Sequence, residues 1–233
     1  MNDIFTSHLN GLPDWDMFQS ALPPYSGFHA ASRCISGGPV YITDTPGQHD
    51  LDLIKQISAL SPQGHTIALR PGLVALPLDP FIGFNKNLLL KLGNFSGSRG
   101  GDSLLAVFNV SEKQNSEMLC ADDFPGLVPG ERYAIHSHAT GTVHKLHVQG
   151  SGSLILVTLP QYGWEVYTAV RVQEIKLRDA SEPFLLGILG LVSAMSGVSA
   201  ILSRSITVDA DYVTVKVSLK ALGTLGIIPD FLP

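Results

Sequence analysis

The chain has 233 residues, 45% of them apolar and only 15% charged, with a net charge of -5. That apolar share supports a sizeable core and excludes a disordered chain, and 15 Lys and Arg without a basic run give no electrostatic footprint for nucleic acid or an anionic membrane. Cys34 and Cys120 stand far apart, which suits buried thiols better than a disulfide framework. The first residues show neither a basic region nor an apolar run, so a cytoplasmic location is expected.

Near the N-terminus, "GLPDWDMFQS" places two acids around a tryptophan. On an extended segment the Asp14 and Asp16 carboxylates point the same way, roughly 7 Å apart at Cα. The alternative is an acidic N-cap pair opening a helix at Met17. "SGFHAASRCIS" has helical spacing and stops at Gly37 and Gly38, "PVYITD" is a short strand ending in Asp44, and "HDLDLIKQIS" steps Leu51, Ile54 and Ile57 along one helix face. Residues 1–61 thus carry a βα rhythm. Asp44 is either a ligand at a pocket rim or a turn-stabilising acid, and His49 and Asp50 are helix-start residues.

From residue 62 to 233 the texture changes. "LLLKLG", "SLLAVFNV", "RYAIHSH", "TVHKLHV", "SLILVTL", "WEVYTAVRV", "SITVDA" and "YVTVKVSL" are strand-like runs with Gly, Pro and Asn-rich breaks between them, which predicts an antiparallel β-sandwich. Within that half, His136, His138, His144 and His147 present a zinc-like spacing, but they also read as a hairpin turning at Gly141 with outward polar positions. The glycine cluster around Gly97 lacks the G-K-[ST] ending of a phosphate loop. Asn94 and Asn109 match glycosylation sequons, and Trp164 is either a sugar platform or a core residue. Residues 184–202, "FLLGILGLVSAMSGVSAIL", run 19 residues without a charge. They read either as a membrane span or, given Pro183 and the Ser/Gly punctuation, as two buried strands around a turn, and the second reading is adopted.

In order, "PDWDMFQS", "AASRCISGGPVYITDTPGQHDLDLIK", "LRPG", "DPF", "LLLKLGNFSG", "LLAVFNV", "YAIHSHATG", "PFLLGILGLV" and "YVTVKVSLKALGTLG" resemble the C-terminal part of the raffinose synthase and alkaline α-galactosidase group, glycoside hydrolase family 36. The resemblance implies the last two βα units of a (β/α)₈ barrel, residues 1–61, followed by a β-sandwich, residues 62–233. It puts the D-W-D-M block at the end of the seventh barrel strand and "VYITD" in the eighth. It implies that Asp16 binds galactose hydroxyls, that Asp14, Trp15 and Met17 shape the pocket floor, and that Asp44 lies at the rim. Intact members act on α-galactosides by double displacement without metal or nucleotide, so no cofactor is expected.

The family's nucleophile comes from a K-x-D block and its acid/base from an R-x-x-D-D block. No lysine here has an aspartate two residues on, and the lone R-x-x-D, Arg99 to Asp102, falls in the sandwich half. Asp14 and Asp16 leave one strand side by side and cannot straddle a glycosidic bond. The expectation is therefore a fragment without catalytic carboxylates of its own, an α-galactoside partner only if the barrel is completed, and self-association through open barrel edges. A non-catalytic β-sandwich that binds carbohydrate or protein is the rival reading.

Overall fold

The computed structural model describes residues 8–9, 11–81, 87–97, 101–147, 154–178 and 182–231. Their architecture is mostly strand, with few helices. Strand β1 (Met17–Phe18) is followed by helix α1 (Tyr25–Ser36), β2 (Tyr41–Ile42) and helix α2 (Leu51–Ile57), which runs directly into β3 (Ser58–Leu60). Next come β4 (Thr66–Ala68), β5 (Leu76–Pro77), β6 (Leu90–Ser96), β7 (Asp102–Phe108), β8 (Asn115–Leu119), β9 (Arg132–Ser137), β10 (Val143–His147) and β11 (Ile155–Leu159). The chain ends with β12 (Trp164–Arg171), β13 (Gln173–Ile175), β14 (Phe184–Leu191), β15 (Ile201–Val208), β16 (Val213–Leu219) and β17 (Leu225–Phe231).

The N-terminal βα rhythm is present. β1 and β2 pair in parallel, Met17 opposite Tyr41, with α1 as the crossover between them. α1 ends on Gly37 in the left-handed conformation, as the sequence predicts. There a Cβ would fall on the Leu73 carbonyl, so the site admits only glycine. α2 starts at Asp50, whose side chain accepts the Asp52 and Leu53 amides as an N-cap. The helix alternative at Met17 is overturned: Met17 and Phe18 are strand, and the first helical residue after them is Tyr25.

A six-stranded antiparallel sheet, in the order β10, β9, β12, β7, β6, β5, organises the rest. All eight strand-like runs fall on strands. Alternation along β7 sends Leu104, Ala106 and Phe108 to one face and Leu105 and Val107 to the other, and both faces are buried. One face packs on the β8–β11 pair through Leu119, Ile155, Val157 and Leu159. The opposite face takes α1, whose Ala30, Ala31 and Cys34 are small enough to bring the helix close, together with Leu185 and Leu189 of β14. At Gly27 a Cβ would meet the Trp164 indole nitrogen at 2.6 Å, a measure of that approach. The same cluster runs from Phe18 to Val198, so apolar packing is continuous across residue 61, which itself sits in the β3–β4 turn.

The uncharged run 184–202 contains no α-helix, only a short buried 3-10 turn at Gly197–Ala200. β14 is buried and pairs with β13 and β17, whereas β15 is mostly exposed and pairs with β16, so only the first half behaves as a buried strand. Its glycines explain the turn between: Gly190 has φ +85, and a Cβ there would lie 2.5 Å from the Gly197 carbonyl. Among the described residues no helix is long and apolar enough to cross a membrane.

The histidine hairpin does turn at Gly141, but its histidines do not all face outward. His136 is buried: β9 lies between β10 and β12, and His136 shares the face of Ala134, which packs into the core cluster with α1 and β14. His138 stacks on Trp164, ring centroids 6.1 Å apart, and its Nε2 lies 3.0 Å from Gln56 Oε1 on α2. The Gln56 amide nitrogen donates to Asp52, so Oε1 is free to accept and the His138 proton sits on Nε2. Buried His138 Nδ1 has no partner. Among the described residues no three His, Cys, Asp or Glu side chains converge as metal ligands, and the His147 side chain lies outside them. Asn94 and Asn109 are buried, with side-chain amides donating to Ile35, Leu73, Leu159 and Pro160 carbonyls, so neither sequon is accessible in the fold.

Gly190→Ala is expected to destabilise the chain by ~2–4 kcal/mol in urea denaturation, from the left-handed backbone and the clash with Gly197. Burial, reinforced by His136, lowers the His138 pKa from 6.5 to about 4. The unfolded chain therefore binds a proton that the fold refuses, and the associated stability is complete above pH 6.5 and lost as pH falls toward 4. A stability profile of the native chain should fall by an extra ~2–3 kcal/mol across that window relative to His138→Gln.

Candidate functional site

The D-W-D-M segment is built around a buried cation. Arg33, 7% exposed on the inner face of α1, aims its guanidinium back at the loop before β1. Nη2 donates to the Trp15 carbonyl at 2.6 Å and more weakly to that of Met17 at 3.4 Å, and Nε donates to the Asp16 carbonyl at 3.2 Å. Nη1 donates to Ser32 Oγ and to His29 Nδ1 at 2.7 Å, which fixes His29 as an acceptor with its proton on Nε2. The cation also lies 5.7 Å over the Phe18 ring. Burial pulls the Arg33 guanidinium below its ordinary value, while Asp16 and then Asp14 pull it back. His29 is lowered by burial and by the Arg33 charge.

With its carbonyls held, the loop bends. Asp16 has φ +64, a left-handed conformation that aspartate tolerates better than most residues. This corrects the extended reading, because the two carboxylates do not stand in parallel along a strand. Asp14 Oδ1 accepts the Asp16 amide at 2.8 Å, and Asp16 Oδ1 accepts the Met17 amide at 2.7 Å. Both residues are exposed, and neither Oδ2 accepts a hydrogen bond from the described residues. Trp15 is half-buried against the core, whereas Met17 is 54% exposed. The loop thus presents two fixed acceptor oxygens beside an aromatic and a thioether, suited to hydroxyl donors.

Asp44 lies elsewhere. The block precedes β1 rather than ending it, so Asp14 and Asp16 flank the entry of the parallel pair while Asp44 follows β2 at its exit. There Oδ1 accepts the Ser20 amide at 2.7 Å and the Ala21 amide at 3.3 Å, and Oδ2 accepts Ser20 Oγ at 2.5 Å. Burial pushes the Asp44 carboxyl up, but these bonds and His49 outweigh it and hold it below the ordinary carboxylate value. Ser20 Oγ in turn accepts the Asp50 amide, so Asp44 ties both strand exits to the start of α2. Arg33 is the residue that the sequence reading missed, and its signal is a lone charge among Ala30, Ala31, Cys34 and Ile35 on a helix packed into the core.

The class this defines is a mostly-β protein carrying a parallel β-α-β corner with a carboxylate loop. Residues 1–113 match the family described as raffinose synthase or seed imbibition protein Sip1, and the chain is similar to members of that group. It is 28% identical over 240 residues to a probable galactinol-sucrose galactosyltransferase 1 of Arabidopsis thaliana, covering 92% of this chain and 30% of the relative. With the stachyose synthase of Pisum sativum it shares 40% over 132 residues, 50% of this chain and 14% of the relative. The chain therefore spans about a third or less of the length of the curated relatives it matches. Among solved structures, an α-galactosidase from Saccharomyces cerevisiae superposes with a TM-score of 0.47 at 10% identity, over 68% of this chain and 47% of that one.

Arg33→Lys keeps the charge but supplies a single point donor in place of a planar fork. It is expected to cost ~2–3 kcal/mol in denaturant. The amides of Asp16 and Met17 should exchange at least tenfold faster in the variant, while those of β7 change only in proportion to global stability.

Proposed function

We propose that this chain is a carbohydrate-handling protein of the α-galactoside class, related in role to the enzymes that build raffinose-family oligosaccharides. In this reading the Asp14–Met17 loop contributes to a galactose site, with Asp16 and Asp14 accepting sugar hydroxyls and Trp15 and Met17 lining it. The observation that carries it is the Arg33-held loop, which lies inside the segment matching the raffinose synthase family and leaves one oxygen of each carboxylate without a donor among the described residues. Asp44 serves by holding the strand exits together.

These 233 residues contain neither the K-x-D nor the R-x-x-D-D block, so on their own they bind rather than transfer galactose. The corner is the last part of a barrel sheet in this reading, and the β-rich remainder is the sandwich that packs on it. Exposed Met17, Tyr41 (48%) and Ile42 on the β1–β2 pair favour association with further strands, from a second copy or from additional barrel units. The location proposed is cytoplasmic.

A second reading rests on geometry: barrel proteins place ligands at strand exits, and of the five candidate residues Asp44 alone sits there. Saturation-transfer NMR with galactinol and raffinose separates the two. Asp16→Ala should weaken binding by ~1–3 kcal/mol, roughly 5- to 150-fold, and Asp44→Asn should leave it within twofold. Loss of signal in Asp44→Asn with full signal in Asp16→Ala would move the sugar to the exit end, and no signal from the native chain would remove the sugar-binding reading.

A further inference from the structure

A cavity of about 550 Å³ opens on the side of the molecule where the segment after β4, the end of β6 and the start of β15 meet. Two cations line it, Arg70 and Lys220, with no acid among the lining residues. Both are half-buried. Neither takes part in an ion pair among the described residues, although the chain carries 20 Asp and Glu and pairs Lys91, Arg132, Arg171 and Arg204 with them. Arg70 uses Nη1 to donate to the Gly37 carbonyl, and the rest of its fork has no partner among the described residues. The Lys220 amide is fixed to the Ala200 carbonyl, which anchors the lysine at the cavity edge.

The remaining walls leave space and add polarity. A Cβ on Gly97 would meet nothing within 4 Å, and one on Gly72 only the Gly97 carbonyl at 3.8 Å. Ser96 and Ser199 bring hydroxyls to the lining, each already bonded within the fold, to the Val198 carbonyl and to Ser196 Oγ. Holding two like charges together in a partly dry cavity opposes folding unless a counter-charge enters.

We propose that this cavity binds a small oxyanion-bearing molecule, with the free edge of the Arg70 guanidinium and the Lys220 ammonium as its paired donors. A planar fork beside a point charge matches phosphate or carboxylate oxygens, and the volume is in the range of small-molecule sites. The two cations act on each other in the way this requires: Lys220 is lowered first by burial and then by the Arg70 charge, a cost that an anion would relieve. The cavity reaches Leu12 and Gly37, but none of Asp14 to Met17 lines it, and the proposal does not depend on the galactoside reading.

Calorimetry and thermal melts of the 233-residue chain test it, with inorganic phosphate and acetate at ionic strength matched by sodium chloride. Phosphate should bind one to one and raise Tm above the chloride control, and acetate should do so more weakly. Lys220→Ala should weaken phosphate at least tenfold, while Lys55→Ala, an exposed lysine elsewhere, should not. Lys220→Glu should raise Tm without phosphate by pairing with Arg70, and should abolish the phosphate response. A phosphate effect no larger than that of chloride, an effect unchanged in Lys220→Ala, or a lower Tm in Lys220→Glu would each overturn the proposal.

Discussion

The D-W-D-M loop depends on one buried guanidinium. A charged group at 7% exposure is costly unless its donors are satisfied, and Arg33 satisfies its donors mainly with carbonyls of the loop it organises. Those carbonyls belong to Trp15, Asp16 and Met17, so the cation fixes the backbone, leaving the Asp16 and Met17 side chains to face solvent while Trp15 packs on the core. The left-handed turn at Asp16, the two Asx-type bonds and the exposed Oδ2 atoms follow from that arrangement. Ion pairing with the carboxylates would have used up the very oxygens that no described residue occupies.

The loop is only as rigid as the helix that carries Arg33, and α1 draws its rigidity from the six-stranded sheet. Small residues at 30, 31 and 34 let the helix lie against β7 and β12, and Gly27 admits the edge of Trp164. Trp164 in turn supports His138, which reaches Gln56 on α2, while Met195 donates its amide to the Gln56 carbonyl. The βα corner and the β-rich body therefore share one apolar cluster and a polar seam. The D-W-D-M loop at the surface is thus tied through Arg33 and α1 to the centre of the sheet.

Legibility in the sequence followed burial pattern. β7 is readable because both faces are buried and Leu104 to Phe108 are continuously apolar, β12 because β-branched and aromatic residues dominate it between turn residues, and α1 because Gly37 closes it. β8, "NSEML", was missed because Ser116 and Glu117 interrupt its pattern and only Leu119 is buried deeply. β17 was missed because Gly226 and Pro229 read as loop residues. A hairpin alone says nothing of what covers His136, which shares the face of Ala134 that packs into the core cluster with α1 and β14. The acids of the loop were visible as residues, but the sign of φ at Asp16 was not, since no local residue forces it and the cause lies 17 positions away in Arg33. The placement of Asp14 and Asp16 before β1 rather than after it was likewise set by pairing with Tyr41, a contact between distant residues.

The central claim is that Arg33 is a caged cation that holds the D-W-D-M carbonyls. Nitrogen-15 NMR of the arginine Nε–H groups tests this most directly. The account predicts one Nε–H, assigned to Arg33, that exchanges with water orders of magnitude more slowly than those of surface-exposed Arg132 and Arg171 and shows cross-relaxation to the Asp16 and Met17 backbone. An Arg33 Nε–H exchanging as fast as those of the surface arginines would contradict it.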